Sequence, residues 1–136
     1  MPVRWSTMNL AIKEIEHAGD LERERVVFNV LKEDNIGFYL LLHTGATDEG
    51  KATGRVRGTF WFPDRKVKGN DLVVLYTKEG YSRRAINADG TSTYFYYRGL
   101  REAVLKKANS AVVLLKATVW QSRALSMAPM EKDLAA

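Results

Sequence analysis

The sequence predicts an all-β fold, an antiparallel β-sandwich with one short helix and extended N- and C-terminal arms. Apolar and polar residues alternate with a period of two along most of the chain. Roughly eight such runs recur at a spacing of about 8–12 residues, with turn-forming residues between them. Helical spacing of apolar residues occurs in one short segment only.

The first half of the chain predicts three strands. Residues 9–17 alternate with one slip, which is typical of a β-bulge. Residues 25–30 alternate regularly and form the second predicted strand. Residues 38–42 are apolar on both faces and predict a central strand that is covered on both sides.

The second half predicts five strands and the helix. The strands are predicted at residues 55–62, 72–77, 81–86, 93–97 and 111–120. Alternation in the first of them places Val56 inward, and a short basic turn joins it to the next strand. Residues 87–90 predict a hairpin turn, because Asn, Asp and Gly tolerate positive φ. Residues 100–108 predict the helix.

Length and composition favour a single domain. At 136 residues the chain is most simply one sandwich over residues 9–120, with arms at residues 1–8 and 121–136. The sequence has no cysteine, which excludes disulfides and thiolate metal sites. The first residues lack the apolar run of a signal peptide, and no stretch approaches the roughly 18 apolar residues of a membrane span. We therefore expect a protein that is made in the cytoplasm and could be carried in a virion.

Charge is distributed unevenly along the chain. Residues 1–50 contain 5 Lys and Arg against 9 Asp and Glu, whereas residues 51–136 contain 16 against 7. Such asymmetry can produce an acidic face and a basic face. Alternatively, strands from both halves interleave in the fold and average the charge.

Motifs for catalysis or metal binding are weak. Residues 45–52 match the phosphate-binding loop motif except at its final position, where Ala52 replaces the required Ser or Thr. The following residues predict a strand, whereas that loop requires a helix. Neither His17 nor His43 has a nucleophile or ligand set patterned around it. We predict no catalytic, cofactor-binding or metal-binding residue, and the protein is not expected to be an enzyme.

Five short segments resemble a known family. They are residues 12–15, 24–29, 34–40, 62–63 and 109–115. Their order is similar to that of the lamin tail domain, an immunoglobulin-like β-sandwich. Phe38 stands where that family has Trp, and residues 106–108 replace its usual Trp-Asn. The resemblance implies an immunoglobulin-like fold and a role as an interaction module, and it implies no catalytic residues.

Basic and aromatic side chains are the main functional candidates. We predict an interface formed by Trp5, Arg55, Arg57, Trp61, Arg83, Arg84, Tyr94, Tyr96, Arg98 and Trp120. Most of these side chains could share one outward face, together with Lys66 and Lys68. Such a face suits protein–protein contact, in which Tyr, Trp and Arg are enriched. It would also suit single-stranded nucleic acid, or it could be a solvated sheet face with cross-strand pairs.

The expected function is that of a non-enzymatic structural subunit in a larger assembly. It would dock through its sheet face and its two arms, either on further copies of itself, as a homo-oligomer, or on other protein components. A phage or virion decoration or neck protein is one form of such a subunit. The alternative is a basic nucleic-acid-binding module. No cofactor is expected.

Overall fold

The computed structural model describes residues 7–105 and 108–125, and it confirms the all-β fold. The strands are β1 (Leu10–Glu16), β2 (Arg25–Val30), β3 (Asp34–Asn35), β4 (Tyr39–Ala46), β5 (Ala52–Trp61), β6 (Lys66–Val67), β7 (Leu72–Tyr76), β8 (Arg83–Ile86), β9 (Ser92–Tyr97) and β10 (Ser110–Lys116). The slip in the first alternating run is a register shift of β1 against β2 between Ile12 and Glu14.

The strands form two main sheets and a small ribbon. The five-stranded sheet has the order β1-β2-β7-β9-β8, the three-stranded sheet has the order β10-β4-β5, and β3 pairs with β6. Neighbouring strands are antiparallel except for β7 and β9, which are parallel. After β7 the chain crosses to the edge of the sheet and forms β8. The β8–β9 hairpin then reverses the chain, so β9 lies between β7 and β8 and runs parallel to β7.

The core lies between the two main sheets. Alternate residues of β2 and β7 point into it, among them Phe28 and Leu75, and Tyr39 meets them from β4. Phe62 lies at the centre, with its ring edge-on to Phe28 and to Tyr96 at centroid distances of 5.6 Å. Period-two alternation therefore gives each sheet one apolar face, and the apolar faces of the two sheets pack against each other.

The strands on either side of the basic turn do not pair with each other. Strand β5 belongs to the three-stranded sheet and β7 to the five-stranded sheet, so residues 62–71 cross from one sheet to the other. Asp71 fixes the end of this crossing segment. Its carboxylate accepts hydrogen bonds from the amides of Lys68 and Ser92, both at 2.9 Å. Val56 is half-exposed and does not point inward, since β5 shifts register against β4 beside it.

The predicted helix is not formed in the described part of residues 100–108. Residues 100–105 are bends and irregular backbone, and three of their amides bond to distant partners where a helix would use the carbonyl four residues earlier. The amide of Leu100 donates to the carbonyl of Thr77, and those of Val104 and Leu105 donate to the Glu24 carboxylate. Helical structure among the described residues is confined to one 3-10 turn, Ile36–Phe38. None of the described helical segments could span a membrane.

Gly37 lies in this turn at a point of close backbone approach. A Cβ atom at this position would lie 2.9 Å from the Cα of Asp64. We expect Gly37→Ala to reduce the free energy of unfolding by about 1–3 kcal/mol, since backbone must shift to admit the methyl group. Urea denaturation measures the change. Gly54→Ala is the control, because no heavy atom lies within 4 Å of the added Cβ; equal effects of both substitutions would contradict the prediction.

Candidate interaction surfaces

The predicted interface residues are distributed over several surfaces, and the prediction that they share one outward face is wrong. Tyr94 and Tyr96 lie on the inner face of β9 and are only 6% exposed. Phe95 and Tyr97 are the residues of β9 on the outer face. Arg55 is exposed on the edge strand β5. Trp5 lies outside the described residues.

Trp61 and Trp120 come together on the outer face of the three-stranded sheet. Their rings meet edge to face at a centroid distance of 4.8 Å, and they are 45% and 55% exposed. Across the sheet, Leu115, Leu40 and Trp61 form one row of paired positions. We call this surface the tryptophan face, and its members are Phe38, Leu40, Leu42, Trp61, Val113, Leu115 and Trp120.

Trp61 is held rigidly in this face. Its indole Nε1 donates a hydrogen bond of 2.7 Å to the carbonyl of Gly37. The polar atom of the side chain is thereby satisfied within the protein, and the apolar ring is left toward solvent. A groove of about 290 Å³ lies beside the two tryptophans, between Phe38 and Pro63. The tryptophan face is therefore apolar, partly exposed and preorganised.

The outer face of the five-stranded sheet has aromatic rings whose faces are already in contact with other side chains. Tyr76 stacks on Tyr97 at 5.2 Å and on Phe95 at 6.4 Å. The guanidinium of Arg83 lies 3.9 Å from the centroid of Phe95, and Lys78 lies over Tyr76 at 5.2 Å. Nucleic-acid bases stack on open ring faces. This surface therefore offers bases little room without rearrangement.

The same sheet has an acidic edge and a basic edge. Glu14 and Glu16 lie on the edge strand β1, and Arg83 and Arg84 on the opposite edge strand β8. A hydrogen bond to Glu16 and the charge of that carboxylate raise the pKa of Glu14. Arg25 pairs with Glu16 at 2.7 Å. Part of the charge asymmetry along the sequence thus persists as a gradient across this sheet.

Arg57, Arg98 and His43 meet near the inner surface of the three-stranded sheet. The guanidinium of Arg98 covers Gly58, where a Cβ atom would lie 2.7 Å from its nitrogen. The guanidinium of Arg57 lies over Gly45 in the same way, at 3.2 Å. Burial lowers the pKa of Arg98 and of His43, and the two guanidinium charges lower the pKa of His43 further. His43 is therefore neutral, and its Nε2 has no hydrogen-bond partner within the described structure.

The buried His43 gives an expected pH dependence. Because its folded-state pKa is depressed, the unfolded chain takes up the proton first as the pH falls below 6.5. The free energy of unfolding should then fall by up to about 1.4 kcal/mol per pH unit, until the folded-state pKa is reached. Urea denaturation between pH 7 and pH 5 measures this slope.

His43→Leu should flatten the slope, and the exposed His17→Gln serves as the control that should retain it. An unchanged slope in His43→Leu would show that His43 is not its source.

Two carboxylates that are largely shielded from solvent were missed by sequence reasoning. Glu24 is 0% exposed, and its carboxylate accepts hydrogen bonds from the hydroxyl of Thr77 and the amides of Gly19, Val104 and Leu105. Burial alone would raise the pKa of Glu24, but these hydrogen bonds outweigh it and lower the pKa. The Glu24 carboxylate thus joins three separate segments of chain.

Asp34 is the second carboxylate, and its side chain is 12% exposed. It accepts hydrogen bonds from the hydroxyl of Tyr39 at 2.8 Å and from Asn9 at 3.1 Å, and it pairs with Lys116 at 2.8 Å. Burial raises the pKa of Asp34, yet the bonds from Lys116 and Tyr39 lower it overall. Lys116 also donates to the carbonyl of Thr7 at 2.9 Å. These contacts hold the end of the N-terminal segment against β10.

The described residues contain no group of three or more His, Asp or Glu side chains placed to hold a metal ion. No protein-family model and no curated protein matches the chain. The resemblance to lamin tail domains stays a prediction from the segments quoted above. The tryptophan face and the charged sheet edges are thus the candidate interaction surfaces of the protein.

Proposed function

We propose that this protein is a non-enzymatic structural subunit that associates with further copies of itself through the tryptophan face. The observation that supports this proposal is the pairing of Trp61 with Trp120 on the outside of a sheet. Tryptophan is one of the residues that are enriched among the anchors of protein interfaces. The proposal needs no cofactor and no catalytic residue.

The tryptophan face has the physical properties of an interface core. Leu115 and Phe38 extend the exposed apolar surface beside the two rings. Large apolar patches are rare on monomeric proteins, because water contact with them is unfavourable. Trp61 is fixed by its bond to Gly37, so little side-chain entropy remains to be lost on association.

A second copy of the chain is the occupant that we propose. An apolar face can bury itself against an identical face across a two-fold axis, and two-fold symmetry is the commonest in homo-oligomers. The neighbouring edges of the sheet, β5 and β10, each pair with β4 alone among the described strands. Exposed strand edges favour further association unless they are covered. Assembly into a shell, as a decoration or neck protein of a virion, is the more specific form of this proposal.

The test is the oligomeric state of the full chain. Light scattering coupled to size exclusion should give a dimer or larger species whose population rises with concentration. Trp61→Ser should weaken the association by about 2 kcal/mol, roughly thirtyfold in Kd, because it removes a central anchor. Tyr81→Ser is the matched control, since Tyr81 is an exposed aromatic residue that does not belong to the tryptophan face.

A monomer at high concentration, or equal effects of Trp61→Ser and Tyr81→Ser, would overturn the proposal. Nucleic-acid binding is the alternative that the basic second half suggests. It predicts binding of an oligonucleotide that weakens steeply with salt and loses slope in Arg55→Ala and Arg57→Ala.

A further inference from the structure

A small pocket opens at the basic edge of the five-stranded sheet, away from the tryptophan face. We call it the arginine pocket, and its lining residues are Arg65, Ser82, Arg83, Arg84, Tyr94 and Tyr96. Its volume is about 120 Å³. Tyr94 and Tyr96 reach it from the core, so its floor is part of the rigid interior of the sandwich.

Two guanidinium groups converge on one ring of this floor. The Cζ atom of Arg65 lies 5.0 Å from the ring centroid of Tyr94, and that of Arg84 lies 5.8 Å from the same centroid. Both guanidinium groups also line the pocket, so an anion bound in it would be attracted by two positive charges. Among the described residues, neither arginine forms an ion pair with Asp or Glu.

The backbone of Arg65 and the side chain of Arg84 are positioned before any ligand arrives. The amide of Arg65 donates to the side-chain oxygen of Asn35 at 3.0 Å, and its carbonyl accepts from the amide of Ile36 at 2.9 Å. Arg84 is paired with Tyr94 in the β8–β9 ladder, and its Nε donates to the hydroxyl of Ser92 at 2.9 Å. The remaining guanidinium N–H groups of Arg84 stay available as donors. Preorganised donors of this kind favour binding, because less conformational entropy is lost.

From this geometry we propose that the arginine pocket binds a single oxyanion group, a carboxylate or a phosphoryl group. Guanidinium groups match both kinds of oxyanion in charge and in donor geometry. The pocket is small beside the roughly 300–1,000 Å³ of pockets that enclose larger ligands, and a single oxyanion group suits its size.

The source of the oxyanion is an acidic or phosphorylated side chain of a protein partner; this choice of partner rests on the proposed function. The faces of Tyr94 and Phe95 at this edge are covered by guanidinium groups, so a nucleic acid would find phosphate contacts there without base stacking. A side chain of a protein needs only the one group that the pocket accommodates.

The test is a titration of the isotope-labelled full chain with sodium phosphate, followed by amide chemical shifts at constant ionic strength against sodium chloride. We expect saturable shifts at Ser82, Arg84 and Tyr94. Arg65→Gln combined with Arg84→Gln should raise the Kd for phosphate at least about tenfold, because charge-assisted hydrogen bonds are lost. Arg55→Gln is the matched control and should bind as the unmodified chain does, since Arg55 is exposed on β5, which belongs to the other sheet.

Amide shifts that rise linearly with phosphate without saturating, or equal phosphate binding by the double variant, would contradict the proposal that the arginine pocket binds an oxyanion. Parallel titrations with acetate, with phosphoserine and with a short single-stranded oligonucleotide distinguish the sources. Saturable binding of acetate or phosphoserine at these amides supports a protein side chain, and tighter binding of the oligonucleotide would overturn that choice. These titrations do not depend on self-association, so a monomer that binds phosphate would refute the proposed function alone.

Discussion

Glu24→Ala is expected to reduce the free energy of unfolding by about 3–5 kcal/mol. The substitution leaves the hydroxyl of Thr77 and the amides of Gly19, Val104 and Leu105 without their acceptor in a buried site. Each unpaired buried donor costs about 1–3 kcal/mol, although the chain can relax to recover part of this. Since domains of this size are stable by about 5–15 kcal/mol, the loss is a large share of the total.

Glu24→Gln separates the charge from the shape of the side chain. The amide oxygen of Gln could still accept hydrogen bonds, but its NH2 group would face donors and could accept none. We therefore expect Glu24→Gln to reduce the free energy of unfolding by about half as much as Glu24→Ala. Glu22→Ala is the control, because Glu22 is exposed and its side chain forms a surface ion pair with Lys78, worth about 0–1 kcal/mol. Urea denaturation of the three variants measures the differences. Equal values for Glu22→Ala and Glu24→Ala would contradict the role of the Glu24 carboxylate.

The low pKa of Glu24 also predicts a dependence on pH. A carboxylate whose folded-state pKa is depressed stabilises the protein fully above its unfolded value of 4.5. That contribution is lost as the pH falls from 4.5 through the folded-state pKa. The difference in stability between the unmodified chain and Glu24→Gln should therefore shrink in this acid range.

The sequence predicted most strands because alternation and turn chemistry are local signals. The β8–β9 hairpin was predicted from residues 87–90, and Gly90 indeed adopts a φ of 86° there. The division of strands between sheets was not predictable, because it depends on contacts between distant segments. Strands β5 and β7 are close in sequence, yet Phe62 enters the core between them and directs the chain to the other sheet.

Alternation did not decide which side of β9 faces inward, since Tyr94, Phe95, Tyr96 and Tyr97 make both faces aromatic. Tyr96 of the inner pair contacts Phe62, and the outer pair stacks with Tyr76. A single sequence holds no information on that choice. Trp61 and Trp120 were both chosen as interface residues, but their contact joins positions from β5 and from the chain after β10, and no local pattern links them.

The buried carboxylates were missed for a related reason. Glu24 stands among exposed charged residues, Glu22 and Arg23, and nothing in its sequence context marks it as buried. Its partners are dispersed from Gly19 to Leu105. Burial of a charged group is decided by whether the fold supplies enough donors, and this becomes visible only in three dimensions.

Asp34 and Lys116 are expected to show strong coupling in a double-mutant cycle. Their side chains are 12% and 11% exposed, and Asp34→Asn would leave the Lys116 ammonium without its counter-charge. We expect Asp34→Asn to reduce the free energy of unfolding by about 3 kcal/mol, because an unpaired buried charge is costly. Adding Lys116→Met removes that charge, so the double variant should be less destabilised than the sum of the single variants, by about 1–3 kcal/mol.

The neighbouring pair Glu33 and Lys66 provides the matched control. These side chains are 57% and 72% exposed and lie 3.9 Å apart, so water screens their attraction. The cycle of Glu33→Gln and Lys66→Met should give a coupling below about 0.5 kcal/mol. Stabilisation by the Asp34–Lys116 pair should be lost at acid pH, as Asp34 titrates through its lowered pKa, and at alkaline pH, as Lys116 titrates through its raised pKa. Equal coupling in both cycles would mean that burial does not strengthen the Asp34–Lys116 pair, and the attachment of the N-terminal segment to β10 would then need another source.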